Sequence, residues 1–172
     1  MRFSNLFFAI VLTSCMLAPV HALSTDKEKP INIEADQVDI DERNGLSTYS
    51  GKVTLVQGSL QISADSVAVH TVERRLTKIV ANGSPARFRQ RPDNATEDIR
   101  AQAKHVEYRA QDGVVLLTNG AELRQGANSF AGPRIEYDTL SSVVRASGAT
   151  PGTGRVQVVI QPSTLESTPK TP

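Results

Sequence analysis

Tryptophan is absent from this 172-residue chain, cysteine occurs once, methionine twice, and aromatics make up 5%. Even these few crowd at one end, because Cys15, Met1, Met16, Phe3, Phe7 and Phe8 all lie within the first 22 residues. From Leu23 onward the chain has no means of forming a disulfide, a thiol nucleophile or a cysteine-ligated metal site. A basic surplus is missing too. Setting Arg2 aside, the 19 Lys and Arg fall to 18, against 18 Asp and Glu. With no net charge and no basic run, nothing drives counterion release from DNA or RNA, and no nucleic-acid partner is expected.

The cysteine-bearing segment explains itself. Arg2 is a short basic head, residues 6–20 form an uncharged apolar run too short to span a bilayer comfortably, and Val20-His21-Ala22 is a small-x-small site. This layout is that of a cleaved secretory signal over residues 1–22, which places the remainder in the bacterial periplasm. Leu12-Thr13-Ser14-Cys15 loosely fits a lipid-attachment box, so lipidation at Cys15 is the alternative. Fifteen of those 22 residues are hydrophobic against 39% of the whole chain, which leaves roughly 35% for the rest. Globular domains average about 45–50% on a similar count. The expected domain, residues 23–161, is therefore short of material for a thick core. Residues 162–172, rich in Pro, Ser and Thr, are too polar to repay ordering and are expected to form a mobile tail.

What is present is alternation. Ile31, Ile33 and Ala35, then Val53 and Leu55, Leu60 and Ile62, Val67 and Val69, Val106 and Tyr108, Leu123, Ile135 and Tyr137, and Val156, Val158 and Ile160 stand at period two. That period lines one face of a sheet, and helical stripes are hard to find. Asn44-Gly45, Asn82-Gly83 and Asn119-Gly120 fall between the runs and predict tight turns between short strands. A pattern of a small residue followed by Val/Ile and Val/Ile/Tyr recurs at Ala35-Val38-Ile40, Ala64-Val67-Val69, Ala103-Val106-Tyr108 and Gly132-Ile135-Tyr137. Related stretches beginning at Gly51 and Gly120 lie 68 to 69 residues apart, so the chain reads as two stacked copies of one β-unit. The polar stretch over residues 89–98 reads as an exposed loop at their join.

No catalytic set emerges. The segment from Gly45 to Lys52 departs from a phosphate-binding loop in spacing, and Val53 replaces the Ser or Thr such a loop needs. The acidic group Asp36, Asp39, Asp41 and Glu42 fails the calcium-loop register, with Asn44 and Ser50 where Gly and Glu are required. His70 and His105 have no ligand motif around them, and no nucleophile elbow is present. Neither a metal nor a cofactor is expected. A sheet with one apolar face and little core instead points to lipid. Exposing a twelve-carbon acyl chain costs on the order of 10 kcal/mol, and a β-groove can shelter it. Two other classes stay open: a polysaccharide-acting β-solenoid enzyme using Asp36 and Asp39, and a structural β-scaffold.

The stretches Pro30-Ile31-Asn32-Ile33-Glu34-Ala35-Asp36, Tyr49-Ser50-Gly51-Lys52-Val53-Thr54-Leu55-Val56-Gln57-Gly58, Gly83-Ser84-Pro85-Ala86-Arg87-Phe88, Ala101-Gln102-Ala103-Lys104-His105-Val106-Glu107-Tyr108 and Arg155-Val156-Gln157-Val158-Val159-Ile160 occur in order. Together they resemble the LptA (OstA-like) family of periplasmic lipopolysaccharide-transport proteins over about residues 30–165. The resemblance implies an all-β, V-shaped open β-jellyroll that carries lipopolysaccharide acyl chains. It also implies head-to-tail assembly by strand pairing between an LptC-type inner-membrane partner and an LptD-type outer-membrane partner. By position Ile31, Ile33, Phe88 and Tyr108 match lipid-facing residues of the family. The same apolar face adds Leu55, Ile62, Val67, Val106, Leu123 and Ile135. Ile31 and Ile40 at one end, and Val156 and Ile160 at the other, mark the expected docking edges. Ala110 and Thr71 depart from the family pattern.

Overall fold

A computed structural model describes residues 25–92, 95–148 and 154–162. The leader expected at residues 1–22, and nearly all of the tail expected at 162–172, lie outside the described residues. After a 3-10 turn at Thr25–Glu28 come ten strands: β1 (Asn32–Glu34), β2 (Gln37–Asp41), β3 (Leu46–Gln57), β4 (Leu60–Val72), β5 (Arg75–Gln90), β6 (Ile99–Arg109), β7 (Val114–Gln125), β8 (Asn128–Asp138), β9 (Val143–Ser147) and β10 (Gln157–Val159). They form one antiparallel sheet of order β1-β3-β4-β5-β6-β7-β8-β10, with β2 also on β3 and β9 also on β8. The sheet is open, its two ends unjoined.

The six central strands have 11 to 16 residues each, longer than the alternation alone implied. The difference has one cause. A line of register shifts crosses the sheet at mid-strand, between Ser50 and Val53 in β3, Ser63 and Ser66 in β4, Asn82 and Ala86 in β5, Gln102 and His105 in β6, and Thr118 and Ala121 in β7. An extra residue at such a point bends the strand and can switch which parity faces inward. In β4 the buried set is Leu60 and Ile62 before the bend, Val67 and Val69 after it. In β6 it passes from Ile99, Ala101 and Ala103 to Val106 and Tyr108. A strand that changes phase halfway reads as two short ones.

Two of the three expected turns are therefore corrected. Asn44-Gly45 does close the β2–β3 connection, but Asn82-Gly83 lies inside β5 and Asn119-Gly120 inside β7. In β7 these two residues take left-handed angles, φ 66° and 81°, and Gly51-Lys52 of β3 do the same at 83° and 47°. Asn and Gly adopt that region cheaply, and here they serve a bend instead of a hairpin.

The bends split the six long strands, β3 to β8, between two layers. Layer A holds β2, β9 and the strand halves nearest Tyr49, Val67, Ile79, Val106, Leu117 and Ile135. Layer B holds β1, β10 and the halves nearest Leu55, Ile62, Phe88, Ile99 and Leu123. Inward residues of both layers share one apolar cluster. Six of its members are alanines, namely Ala81, Ala86, Ala101, Ala103, Ala110 and Ala121. Small side chains let the layers approach closely, so the core closes from this chain's own residues, contrary to the expected shortfall.

The sequence repeat has a structural counterpart. Thr71 N–H donates to the Gly45 carbonyl at 2.8 Å, and Thr139 N–H donates to that of Gly113 at 2.9 Å, an offset of 68 in each member. Between them the β5–β6 hairpin repeats the backbone bond from Ala110 N–H to the Thr77 carbonyl, 2.9 Å. Ala110 thus occupies the threonine position of a third, diverged copy. The small residues of the sequence pattern, Ala35, Ala64, Ala103 and Gly132, all sit at bends, which is why they recur.

Candidate functional site

The inward residues are assembled by pairing register. Ile33 stands opposite Leu55, Leu55 opposite Ile62, Ile62 opposite Phe88, Phe88 opposite Ala101, Ala101 opposite Leu123, and Leu123 opposite Phe130. This continuous row crosses layer B from one end of the sheet to the other. Layer A has its own: Tyr49, Val67, Ala81, Val106, Leu117, Ile135 and Ala146. Each full burial of such a side chain is worth about 1.5–3 kcal/mol. Across the gap, the Phe88 ring of layer B meets the Tyr108 ring of layer A with centroids 5.9 Å apart.

Of the ten residues expected to line a trough, Leu55, Ile62, Val67, Phe88, Val106, Tyr108, Leu123 and Ile135 are buried in this cluster. Ile31 and Ile33 are half-buried against it. The expected docking residues separate. Ile31 and Val156 turn partly inward, whereas Ile40 is 59% and Ile160 69% exposed. Exposed large hydrophobics gather at the sheet ends, with Val38 and Ile40 on β2, Val143 on β9, and Val158 and Val159 on β10.

At one end of layer B the strand tips are tied to one another and to the segment before β1 by hydrogen bonds. Asp26 accepts from Ser59 N–H at 2.9 Å and from its hydroxyl, and Ser59 Oγ accepts from Arg91 N–H at 3.0 Å. Gln57, 6% exposed, donates its amide to the Lys27 and Lys29 carbonyls at 3.3 and 3.1 Å. The described residues of the loop expected over 89–98 belong to this end and are only partly exposed. Its first two residues complete β5, Pro92 is buried, and Asp98 is clasped by Arg89 Nε at 2.7 Å and Arg91 Nε at 2.9 Å. The Arg89 bond, then that from Arg91, holds the Asp98 carboxyl below its ordinary value despite partial desolvation.

Sequence reasoning missed a charge cluster on the outer face of layer B. Arg89, Arg100 and Arg124 stand in direct register on β5, β6 and β7. With Arg87, Gln61, Gln102 and Glu122 they line a surface hollow of about 440 Å³. The linear sequence has no basic run, yet the fold brings these arginines together. Near-register arginines on three strands carry no signal until the pairing is known. Of the acidic residues weighed above, Asp36 and Asp39 are both exposed at the β1–β2 edge, and Asp36 N–H donates to the Gly51 carbonyl at 3.1 Å. His105 Nδ1 lies 2.7 Å from Asn82 Oδ1 at the bend, and His70 offers its carbonyl to the Thr77 hydroxyl. Among the described residues no helix is long and apolar enough to cross a membrane.

Comparison with known proteins agrees with this geometry. The chain is 31% identical over 147 residues to the lipopolysaccharide export system protein LptH of Pseudomonas aeruginosa, spanning 82% of this chain and 84% of that one. It is 32% identical over 168 residues to the lipopolysaccharide export system protein LptA of Escherichia coli K12, spanning 95% and 89%. The crystal structure of LptH from Pseudomonas aeruginosa, described as the LptA-homologous periplasmic component of the lipopolysaccharide transport device, superposes with a TM-score of 0.75 at 29% identity. It covers 81% of this chain and 100% of its own. A 58-residue stretch, 33% of this chain and 7% of the relative, is 43% identical to the LPS-assembly protein LptD of Vibrio cholerae. Residues 32–143 match the family described as LptA/(LptD N-terminal domain) LPS transport protein, and the chain belongs to that family.

Proposed function

We propose that this chain is a non-enzymatic periplasmic bridge, which takes lipopolysaccharide acyl chains between its two layers and passes them from the inner toward the outer membrane. The observation that carries this reading is the pair of continuous apolar rows facing each other across an open sheet. Because the layers are joined by bends and by the tips of one open sheet, they can part at the Phe88–Tyr108 contact without breaking ladder hydrogen bonds. A lipid chain then replaces side-chain contacts with lipid contacts of similar free energy, so entry and exit are near balance and an ATPase elsewhere supplies direction.

The split ends support head-to-tail assembly with further copies and with LptC-type and LptD-type partners. Exposed Val38, Ile40, Val158 and Ile160 lie along strand edges, the place where an added strand gains both hydrogen bonds and apolar contact. Photo-crosslinkers at Ile33 and Phe88 are expected to capture lipopolysaccharide in cells, while one at exposed Thr54 does not. Capture at Thr54 alone would overturn the trough. Val158→Lys, which places a charge on the exposed β10 edge, is expected to reduce self-association of the purified chain with little change in its melting midpoint.

A further inference from the structure

Three arginines in cross-strand register are an unfavourable arrangement, since like charges directly opposite one another repel. Neighbouring strands lie about 4.8 Å apart, so the row from Arg89 through Arg100 to Arg124 spans about 10 Å. Asp98 offsets part of this charge by pairing with Arg89 and Arg91, and its reach to Arg100 is 3.9 Å. Glu122 is engaged with Gln102 Nε2 at 3.0 Å. No ion pair to Arg87 or Arg124 occurs among the described residues. The hollow therefore gathers four guanidinium groups against two carboxylates, Glu122 in its lining and Asp98 beside it, and keeps a net positive charge.

Its position matters as much as its charge. Arg89, Arg100 and Arg124 each lie one residue from the strand tips of layer B, and the adjoining Gln90, Ile99 and Gln125 form the last pairing level. On the inner side of that level sit Ile99 and Phe88, both buried. Gln90 is also buried, 6% exposed, yet its Oε1 has no hydrogen-bond partner among the described residues. An unpaired buried carbonyl of this kind is costly and calls for a donor, such as a hydroxyl or amide N–H of a ligand, and not for a phosphate oxygen. The rim thus offers, within one residue, an apolar wall inside, an unsatisfied acceptor at the edge and a basic row outside.

We infer that this rim binds the phosphorylated head of the lipid cargo, with Arg89, Arg100 and Arg124 engaging phosphate oxygens while the acyl chains lie inward. Guanidinium forks match phosphate in geometry, and charge-assisted bonds of this type are the strong ones. Asp98 holds the Arg89 side chain at one end of the row. A hollow of limited volume favours a discrete phosphorylated head over a flat bilayer or an extended polyanion. The inference rests on the lipopolysaccharide reading above and goes beyond it by giving the head its own site.

The test measures binding of intact lipopolysaccharide, and of the same lipid dephosphorylated with hydrofluoric acid, to the full chain and to the Arg100→Gln/Arg124→Gln double variant. The parent is expected to bind the intact lipid about tenfold more tightly than the dephosphorylated one, and the double variant to bind both at the weaker level. Equal binding of the two lipids by the parent overturns the rim site and leaves the trough standing. Binding of neither overturns the trough reading itself. Millimolar inorganic phosphate is expected to compete only weakly. If phosphate, phosphatidylglycerol vesicles or a single-stranded oligonucleotide displaced intact lipid with equal potency, the source assigned here would be wrong. The lipid-free melting midpoint of the double variant is expected to equal or exceed the parent's, because repulsion is relieved. A lower midpoint would show that the arginines serve the fold, and would overturn the proposal.

Discussion

Phe88 and Tyr108 belong to opposite layers, and their rings meet at a centroid distance of 5.9 Å with planes tilted by 51°. Each is buried. Their contact is a direct measure of how firmly the layers hold together.

Phe88→Ala is expected to destabilise the lipid-free protein by about 3–5 kcal/mol, the usual cost of removing a buried ring. In a double-mutant cycle with Tyr108→Ala, the coupling should be about 0.5–1.5 kcal/mol. Denaturant melts of the four proteins check this. Strict additivity would mean that the layers are not in contact there.

The left-handed residues at the bends differ in what surrounds them. A methyl group on Gly120, φ 81°, would meet nothing within 4 Å, whereas one on Gly51, φ 83°, would lie 2.4 Å from Asp36 Oδ2. Gly120→Ala should therefore cost only the backbone term of about 1–2 kcal/mol. Gly51→Ala should cost more, and should loosen β1 and β2 where Asp36 is displaced. Thermal melts together with amide exchange at Val38 and Ile40 distinguish the two.

The repeated threonine bond is graded in length. Thr139 Oγ1 donates to the Gly113 carbonyl at 2.8 Å, and Thr71 Oγ1 to that of Gly45 at 3.3 Å. Thr139→Val is expected to cost about 1 kcal/mol and Thr71→Val clearly less. The reverse order in urea melts would show that the two copies are not equivalent as argued.

Acid should weaken the protein in a defined window. Asp98, Asp138 and Asp41 all lie below the ordinary aspartate value of 3.8, through bonds from Arg89, from Ser141 and from Asn44 respectively. A carboxyl whose folded pKa is depressed contributes stability above its unfolded value, and that contribution is lost as pH falls toward the folded one. The melting midpoint should be level from neutral pH down to about 5 and decline below about 4. Asp98→Asn should shrink the decline. A midpoint that fell on raising the pH from 5 to 7 would contradict the assignment.

The all-β class, the apolar face and the 68-residue repeat were legible because each depends on local alternation or on identity at a fixed offset. Strand length was not, because β4, β5 and β6 change phase at Ala64, at Gly83 to Pro85 and at Ala103, and a pattern that restarts looks like a new element. Asn119-Gly120 misled for the same reason, since the left-handed preference that makes a hairpin also makes a bend. The interior residues Leu55, Ile62, Phe88 and Leu123 could be listed from sequence but not ordered into a row. The Arg89–Arg100–Arg124 row was invisible, because three residues on three strands become neighbours only through register.

The divided ends of the sheet carry a further consequence. On β3, the segment from Leu46 to Ser50 is taken by β2 and that from Thr54 to Val56 by β1, with the Gly51-Lys52 bend between them. On β8, β9 and β10 share the edge in the same way, on either side of Gly132. A straight strand offered to either end can satisfy one layer but must leave the other. Only a chain with a kink at the matching place can follow both, so the edge is a poor template for an ordinary straight strand.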